Sequence, residues 1–284
     1  MRKHRPNKAY LNREFLESPD ARVIRILAEY LEPARRLRHL NIHDTIVFFG
    51  SARALSRQQA RACLERVQQQ IDQAEAPSQG LIMQLERAEK AVELAEYYEQ
   101  AVELARMITQ WSTSLPEDQR HFVICSGGGG GMMEAANKGA SLAGGKSLGF
   151  NITLPFEQIP NEYLAPEMIF DFHYFFMRKF WFVYLAKALI IFPGGFGTMD
   201  ELMEVLTLIQ TKKPHKTMPV LLYGKRYWNE VLNFDAMVRW GTISPDDLEI
   251  FYITDSPEDA FEYLRTRLEE LYLTPQGLEK VKLT

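Results

Sequence analysis

Apolar residues along the chain follow two alternating rhythms. Short, nearly continuous apolar runs occur at residues 45–49, 122–125, 147–152, 168–172, 188–192, 220–223 and 250–253. Such runs suit strands buried on both faces of a parallel sheet. Between them, apolar residues recur every three or four positions, which predicts helices over 132–143, 175–186, 198–210, 228–240 and 257–271. Strands separated by helices argue for the α/β class: a Rossmann-like, doubly wound parallel sheet with helices on both faces. The expected organisation is a polar tail and lead-in helix over 1–43, then one Rossmann-like domain over 44–284.

Three segments change this picture. Residues 21–40 set Val23, Ile24, Ile26, Leu27 and Leu31 among arginines, as an amphipathic lead-in helix would. Residues 56–112 have no strand signal, and Pro77 to Gly80 divide them into a helical hairpin inserted in the domain. The second arm would run about 45 Å at 1.5 Å per residue, more than a crossover needs. It either contributes to a subunit interface or packs on its own sheet. The third segment, 175–186, is aromatic on nearly every side yet holds Arg178 and Lys179, and buried charges require a partner, a cleft or an anion.

Composition narrows the classes. With 284 residues, 46% of them hydrophobic, the chain can bury a full core, and its net charge of -4 gives no broad basis for binding nucleic acid. Cys63 and Cys125 lack metal-ligand spacing, and His173 and His215 stand without ligand partners, so no metal is expected. The absence of an apolar signal core and of an uninterrupted spanning segment predicts a soluble, cytoplasmic protein with no membrane partner.

The candidate chemistry lies in three turns, each at the C-terminal end of a strand. They are Gly50-Ser51, the five glycines Gly127 to Gly131, and Pro193-Gly194-Gly195-Phe196-Gly197-Thr198. A strand turning on glycine into a helix aims free N–H groups and a positive dipole end at the sheet edge, where an anion such as phosphate can sit. None is a P-loop, since no Gly-Lys-Ser/Thr follows. Glu201 has two readings. Thr198-Met199-Asp200-Glu201 fits a capping box, and the same carboxylate could face a ligand.

PGGFGTMDE at 193–201, with MRK at 177–179, SGGGGGMM at 126–133 and the Gly50-Ser51 turn, resembles the Lonely Guy family of cytokinin-activating phosphoribohydrolases, long labelled lysine decarboxylase-like. The resemblance spans about residues 44–272, and the longer N-terminus and hairpin are like those of its larger bacterial branch. It implies a nucleotide-binding domain that hydrolyses the N-glycosidic bond of nucleoside 5'-monophosphates, AMP-like or cytokinin nucleotides, to free base and ribose 5-phosphate. It also implies no cofactor and a homodimer or larger homo-oligomer. Arg178 and Glu201 match the family's catalytic pair. Gly50, Ser51, Gly127, Gly128, Gly129, Met177, Lys179, Gly194, Gly195, Gly197 and Thr198 match its substrate-binding positions, and Phe196 or Tyr174 could line a base pocket. The alternative is a non-catalytic carrier of a nucleotide or of molybdenum cofactor, because the fold alone does not separate carrier from enzyme.

Overall fold

A computed structural model describes residues 8–154, 159–212 and 218–274. Seven strands form one sheet: β1 (Asp44–Phe49), β2 (Phe122–Ser126), β3 (Ser147–Ile152), β4 (Ile169–Phe172), β5 (Ala186–Ile191), β6 (Val220–Tyr223) and β7 (Phe251–Thr254). Their order is β4-β3-β2-β1-β5-β6-β7, and every neighbouring pair is parallel. The chain builds outward from β1 in one direction, then returns to add β5 on its other side. The crevice between β1 and β5 is therefore the switch point where doubly wound sheets open a site.

The apolar runs are continuous because the central strands are covered twice. In β1, Ile46 and Phe48 enter one core while Val47 and Phe49 enter the other, and all six residues are buried. One layer is α4 (Gln79–Ser114), α5 (Met132–Leu142) and α10 (Pro257–Leu268); the other includes α6 (Phe175–Leu185) and α7 (Phe196–Gln210). Helix α4 is 36 residues long, about 54 Å at 1.5 Å per residue. Its C-terminal half lays Ala101, Leu104, Ala105 and Ile108 on the sheet, and its N-terminal half pairs with α3 (Arg57–Asp72) to make the hairpin. Of the two readings of the second arm, packing on its own sheet therefore describes the C-terminal half.

Several boundaries differ from the periodic pattern. The helix expected over 228–240 is two short helices, α8 (Lys225–Val231) and α9 (Phe234–Arg239), because the Asn233 side chain caps the second by accepting from the Ala236 N–H at 2.8 Å. The N-terminal segment, read as featureless before residue 21, holds the short helix α1 (Arg13–Glu17), whose N-cap is Asn12. The lead-in helix α2 (Arg22–His39) packs through Pro33 and Leu37, so Val23, Ile24, Leu27 and Leu31 of the predicted stripe are exposed at 67%, 46%, 52% and 59%.

At the sheet edge remote from the glycine turns, buried Asp44 lies 2.9 Å from Lys187 and 3.0 Å from Arg120. This accounts for the lysine that interrupts the apolar run entering β5: its charge is met by a carboxylate on the neighbouring strand. Among the described residues no helix is long and apolar enough to cross a membrane.

Candidate active site

The three turns are laced together at the switch point. The Ser51 N–H donates to the Pro193 carbonyl (2.9 Å), and the Ser51 carbonyl accepts from the Met132 N–H (3.0 Å), so the turn after β1 is tied to the turns after β5 and β2. Two glycines are required for this closeness. A Cβ on Gly50 would meet Met132 at 2.7 Å, and one on Gly131, already at φ +68°, would lie 2.3 Å from the Ser51 carbonyl. The turns surround a cavity of about 820 Å³, with the N-terminus of α7 at its edge. The first N–H groups of that helix have no intrahelical acceptor and carry the positive end of the dipole.

Arg178 sits on the first turn of α6. Its Nε–H donates to the Phe150 carbonyl (2.7 Å), and the guanidinium lies 5.2 Å from the Phe182 ring centre. A Cβ on Gly127 would fall 2.5 Å from Arg178 Nη2, so glycine there leaves the arginine its path to the cavity. Burial pulls the arginine's pKa down, opposed chiefly by the negative field of Glu201. Among the described residues no ion pair joins the two, and both line the cavity.

Glu201 is the sixth residue of α7, only 9% exposed, and its Oε2 has no hydrogen-bond partner. Burial pushes its pKa up to about 7, against the opposing pull of Lys179 and Arg178. The capping-box reading of this residue does not hold. Helix α7 begins two residues before Thr198, its N-cap is Gly195, and no side chain caps it. Thr198 is thus inside the helix, and its side chain packs where a Cβ on Gly194 would stand, 2.1 Å from the hydroxyl oxygen.

Of the positions singled out from the sequence, Gly50, Ser51, Gly127, Arg178, Gly194, Gly195, Gly197, Thr198 and Glu201 line the cavity, as does Phe196, 96% exposed. Four lie apart from the lining. Met177 is buried in the core, and Lys179 is engaged by Glu204 (2.5 Å) and Asp200 (2.9 Å), with Glu201 at 4.0 Å. Burial disfavours the Lys179 ammonium, but its hydrogen bonds to Glu204 and Asp200 outweigh this and raise its pKa. Gly128 and Gly129 turn their carbonyls to the Asn161 side chain, whose Nδ2–H₂ donates to both at 3.1 and 3.0 Å. Tyr174 is buried away from the cavity, His173 lies outside the lining, and His215 falls outside the described residues.

Arg53, Met133, Phe175 and Tyr227 also line the cavity, although the motifs do not mark them. The Tyr227 hydroxyl donates to the Gly194 carbonyl (2.5 Å) from a helix that follows β6, a contact with no local sequence signature. Asn161 was equally hidden. It also donates to Asn137 Oδ1 (2.9 Å), which accepts from the Ser126 hydroxyl, and so fixes the glycine loop through a buried network. No group of three or more metal-ligating side chains occurs among the described residues.

The chain is similar to known proteins. Residues 133–264 match the family described as "Possible lysine decarboxylase". The "probable cytokinin riboside 5'-monophosphate phosphoribohydrolase LOGL5" of Oryza sativa subsp. japonica is 29% identical over 193 residues, 67% of this chain and 72% of that protein. The cytokinin riboside 5'-monophosphate phosphoribohydrolase LOG7 of Arabidopsis thaliana is 30% identical over 155 residues, 52% of this chain and 64% of that protein. An X-ray structure of the structural-genomics target TM1055 covers 78% of this chain and 99% of that one, at 17% identity and a TM-score of 0.44. By the family match and the curated relatives, the chain is similar to the Lonely Guy family of cytokinin riboside 5'-monophosphate phosphoribohydrolases.

Proposed function

We propose that the chain hydrolyses the N-glycosidic bond of nucleoside 5'-monophosphates, AMP-like or cytokinin nucleotides, to the free base and ribose 5-phosphate. The observation that carries this reading is Glu201: a buried carboxylate with an oxygen free of hydrogen bonds, lining a cavity that also presents Arg178 and a helix N-terminus. The phosphate sits against the N–H groups of 195–198, and the ribose extends toward Glu201. As the C1'–N bond breaks, its electron pair leaves with the base and positive charge builds on the ribose. An ionised Glu201 stabilises that charge and accepts a proton from the water that adds to C1'. A pKa of about 7 suits such a base, since it is ionised near neutral pH and still strong enough to take the proton. Arg178 supplies paired N–H donors to a sugar or phosphate oxygen.

The direct test is chromatography of base and ribose 5-phosphate after incubation with AMP, GMP, CMP, UMP and isopentenyl-AMP. Release from at least one is expected, and its rank order names the base. Tight binding with every nucleotide recovered intact would replace hydrolysis with the carrier alternative. A decarboxylase would need a lysine placed to form a Schiff base with pyridoxal phosphate. Among the described residues no lysine lines the cavity, and Lys179 is engaged by carboxylates.

We also propose that the chain works as a homodimer through the exposed apolar face of α2 and α6. Tyr30 on α2 meets Phe180 on α6 at 5.6 Å, which joins Val23, Leu27 and Leu31 to Phe180 and Tyr184 in one patch. These six large side chains are 37–67% exposed. The charged groups nearby are occupied internally: Arg25 donates to the Leu16 and Ser18 carbonyls, and Glu29 accepts from the N–H groups of His173 and Tyr174. A second copy, meeting this face about a two-fold axis, presents the same dry surface.

A further inference from the structure

The cavity holds a second cation that the reading above leaves unused. Arg53 lies three residues past Gly50 on the turn after β1, and this turn is held on both sides. Its Ser51 is hydrogen-bonded to Pro193 on one side and to Met132 on the other, and the Arg53 N–H donates to the Ser51 hydroxyl (3.1 Å). The backbone that carries Arg53 is thereby fixed. Its side chain is exposed, lines the cavity, and makes no hydrogen bond or ion pair among the described residues. The other two cations nearby are committed: Lys179 to Asp200 and Glu204, and Arg178 to the Phe150 carbonyl within the field of Glu201.

We infer that Arg53 is a specificity-determining residue that grips the 5'-phosphate, so that the cavity distinguishes a nucleotide from its nucleoside. This rests on the nucleotide reading and adds a division of labour to it. Arg178, buried beside Glu201, serves the reacting end of the substrate. The Ser51–Pro193 hydrogen bond sets the Arg53 turn alongside residues 193–198, so an anion on the N–H groups of α7 comes within reach of a guanidinium from across the crevice. A fork of N–H donors matches two phosphate oxygens, a geometry that a point charge reproduces only in part.

The experiment compares the intact protein with Arg53→Ala and Arg53→Lys on AMP and adenosine, and measures ribose 5-phosphate binding by calorimetry. Arg53→Ala is expected to raise KM for AMP by about ten- to a hundredfold with kcat changed little, as loss of a charged hydrogen bond would. The ratio of kcat/KM for AMP over adenosine falls by the same factor, Arg53→Lys recovers part of it, and ribose 5-phosphate binds correspondingly more weakly to Arg53→Ala. A variant that keeps the parent's AMP-to-adenosine ratio would overturn the assignment and leave the hydrolase standing. Should the intact protein release no base, the hydrolase falls, and Arg53 is still judged by calorimetry: equal ribose 5-phosphate affinity in protein and variant removes its role.

Discussion

Glu201 is held at a cost that its proposed role as base would explain. Its pKa is raised from an ordinary 4.5 to about 7, so the folded state binds a proton that the unfolded chain releases more readily. The stabilisation from the neutral form is full below pH 4.5 and is lost as pH rises through about 7. A difference of this size is worth at most about 3 kcal/mol. Glu201→Gln, neutral throughout, is expected to melt with the parent near pH 4.5 and several degrees above it at pH 8. Equal melting temperatures at both pH values would contradict the raised pKa. In the proposed mechanism the same group sets the rate. In the free enzyme kcat/KM for a nucleotide should fall about tenfold per pH unit below about 7 and level off above it. A profile flat from pH 5 to 8 would remove Glu201 as the base. Gly127 gives a cleaner separation of site from fold. Its φ is not in the left-handed region, so alanine fits the backbone, yet the added Cβ would lie 2.5 Å from both Arg178 Nη2 and Met133 Sδ. Gly127→Ala should lower kcat/KM by at least about tenfold with little change in melting temperature. An unchanged rate would show that Arg178 does not need that space.

The strands were the most legible elements. Burial on both faces makes the central strands β1, β5 and β6 nearly continuous apolar runs, and Lys187 within β5 is resolved by Asp44 on the adjacent strand. Asp44→Ala should cost about 3–5 kcal/mol in denaturant unfolding, because it strands the buried lysine as well as removing a pair. Replacing Asp44 and Lys187 together by apolar residues should recover most of that loss, and failure of the double variant to recover it would mean that the carboxylate has another role. Helix ends were less legible. The Thr198 to Glu201 pattern reads as a capping box, but Gly195 caps the helix three residues sooner and moves the glutamate about one turn deeper. The glycine turns and the Arg178–Glu201 pair stood in local motifs. Asn161 and Tyr227 did not, because their contacts with residues 128–129 and 194 cross 32 residues or more of sequence, and a hydrogen bond at that separation leaves no periodic trace.

At the scale of the molecule, sheet order alone brings three distant glycine turns to one crevice, and each supplies something different. One helix N-terminus favours an anion, Arg178 and Arg53 line the same cavity as cations, and burial raises the pKa of Glu201, the proposed base, to about 7. What the pattern of apolar positions did not reveal is direction. It marked Val23, Leu27 and Leu31 as a stripe, and the stripe faces outward. Light scattering should find a dimer, and Leu27→Glu with Phe180→Glu should convert it to a folded monomer. A monomeric parent, or a dimer untouched by both changes, would contradict the proposed interface. The central claim is tested most directly by a paired time course on the preferred nucleotide, quantifying base and ribose 5-phosphate for the intact protein and for Glu201→Gln. The account predicts equimolar products from the first and at least about a hundredfold slower release from the second, which should still bind the nucleotide. Intact nucleotide from both proteins, or equal rates, would contradict it.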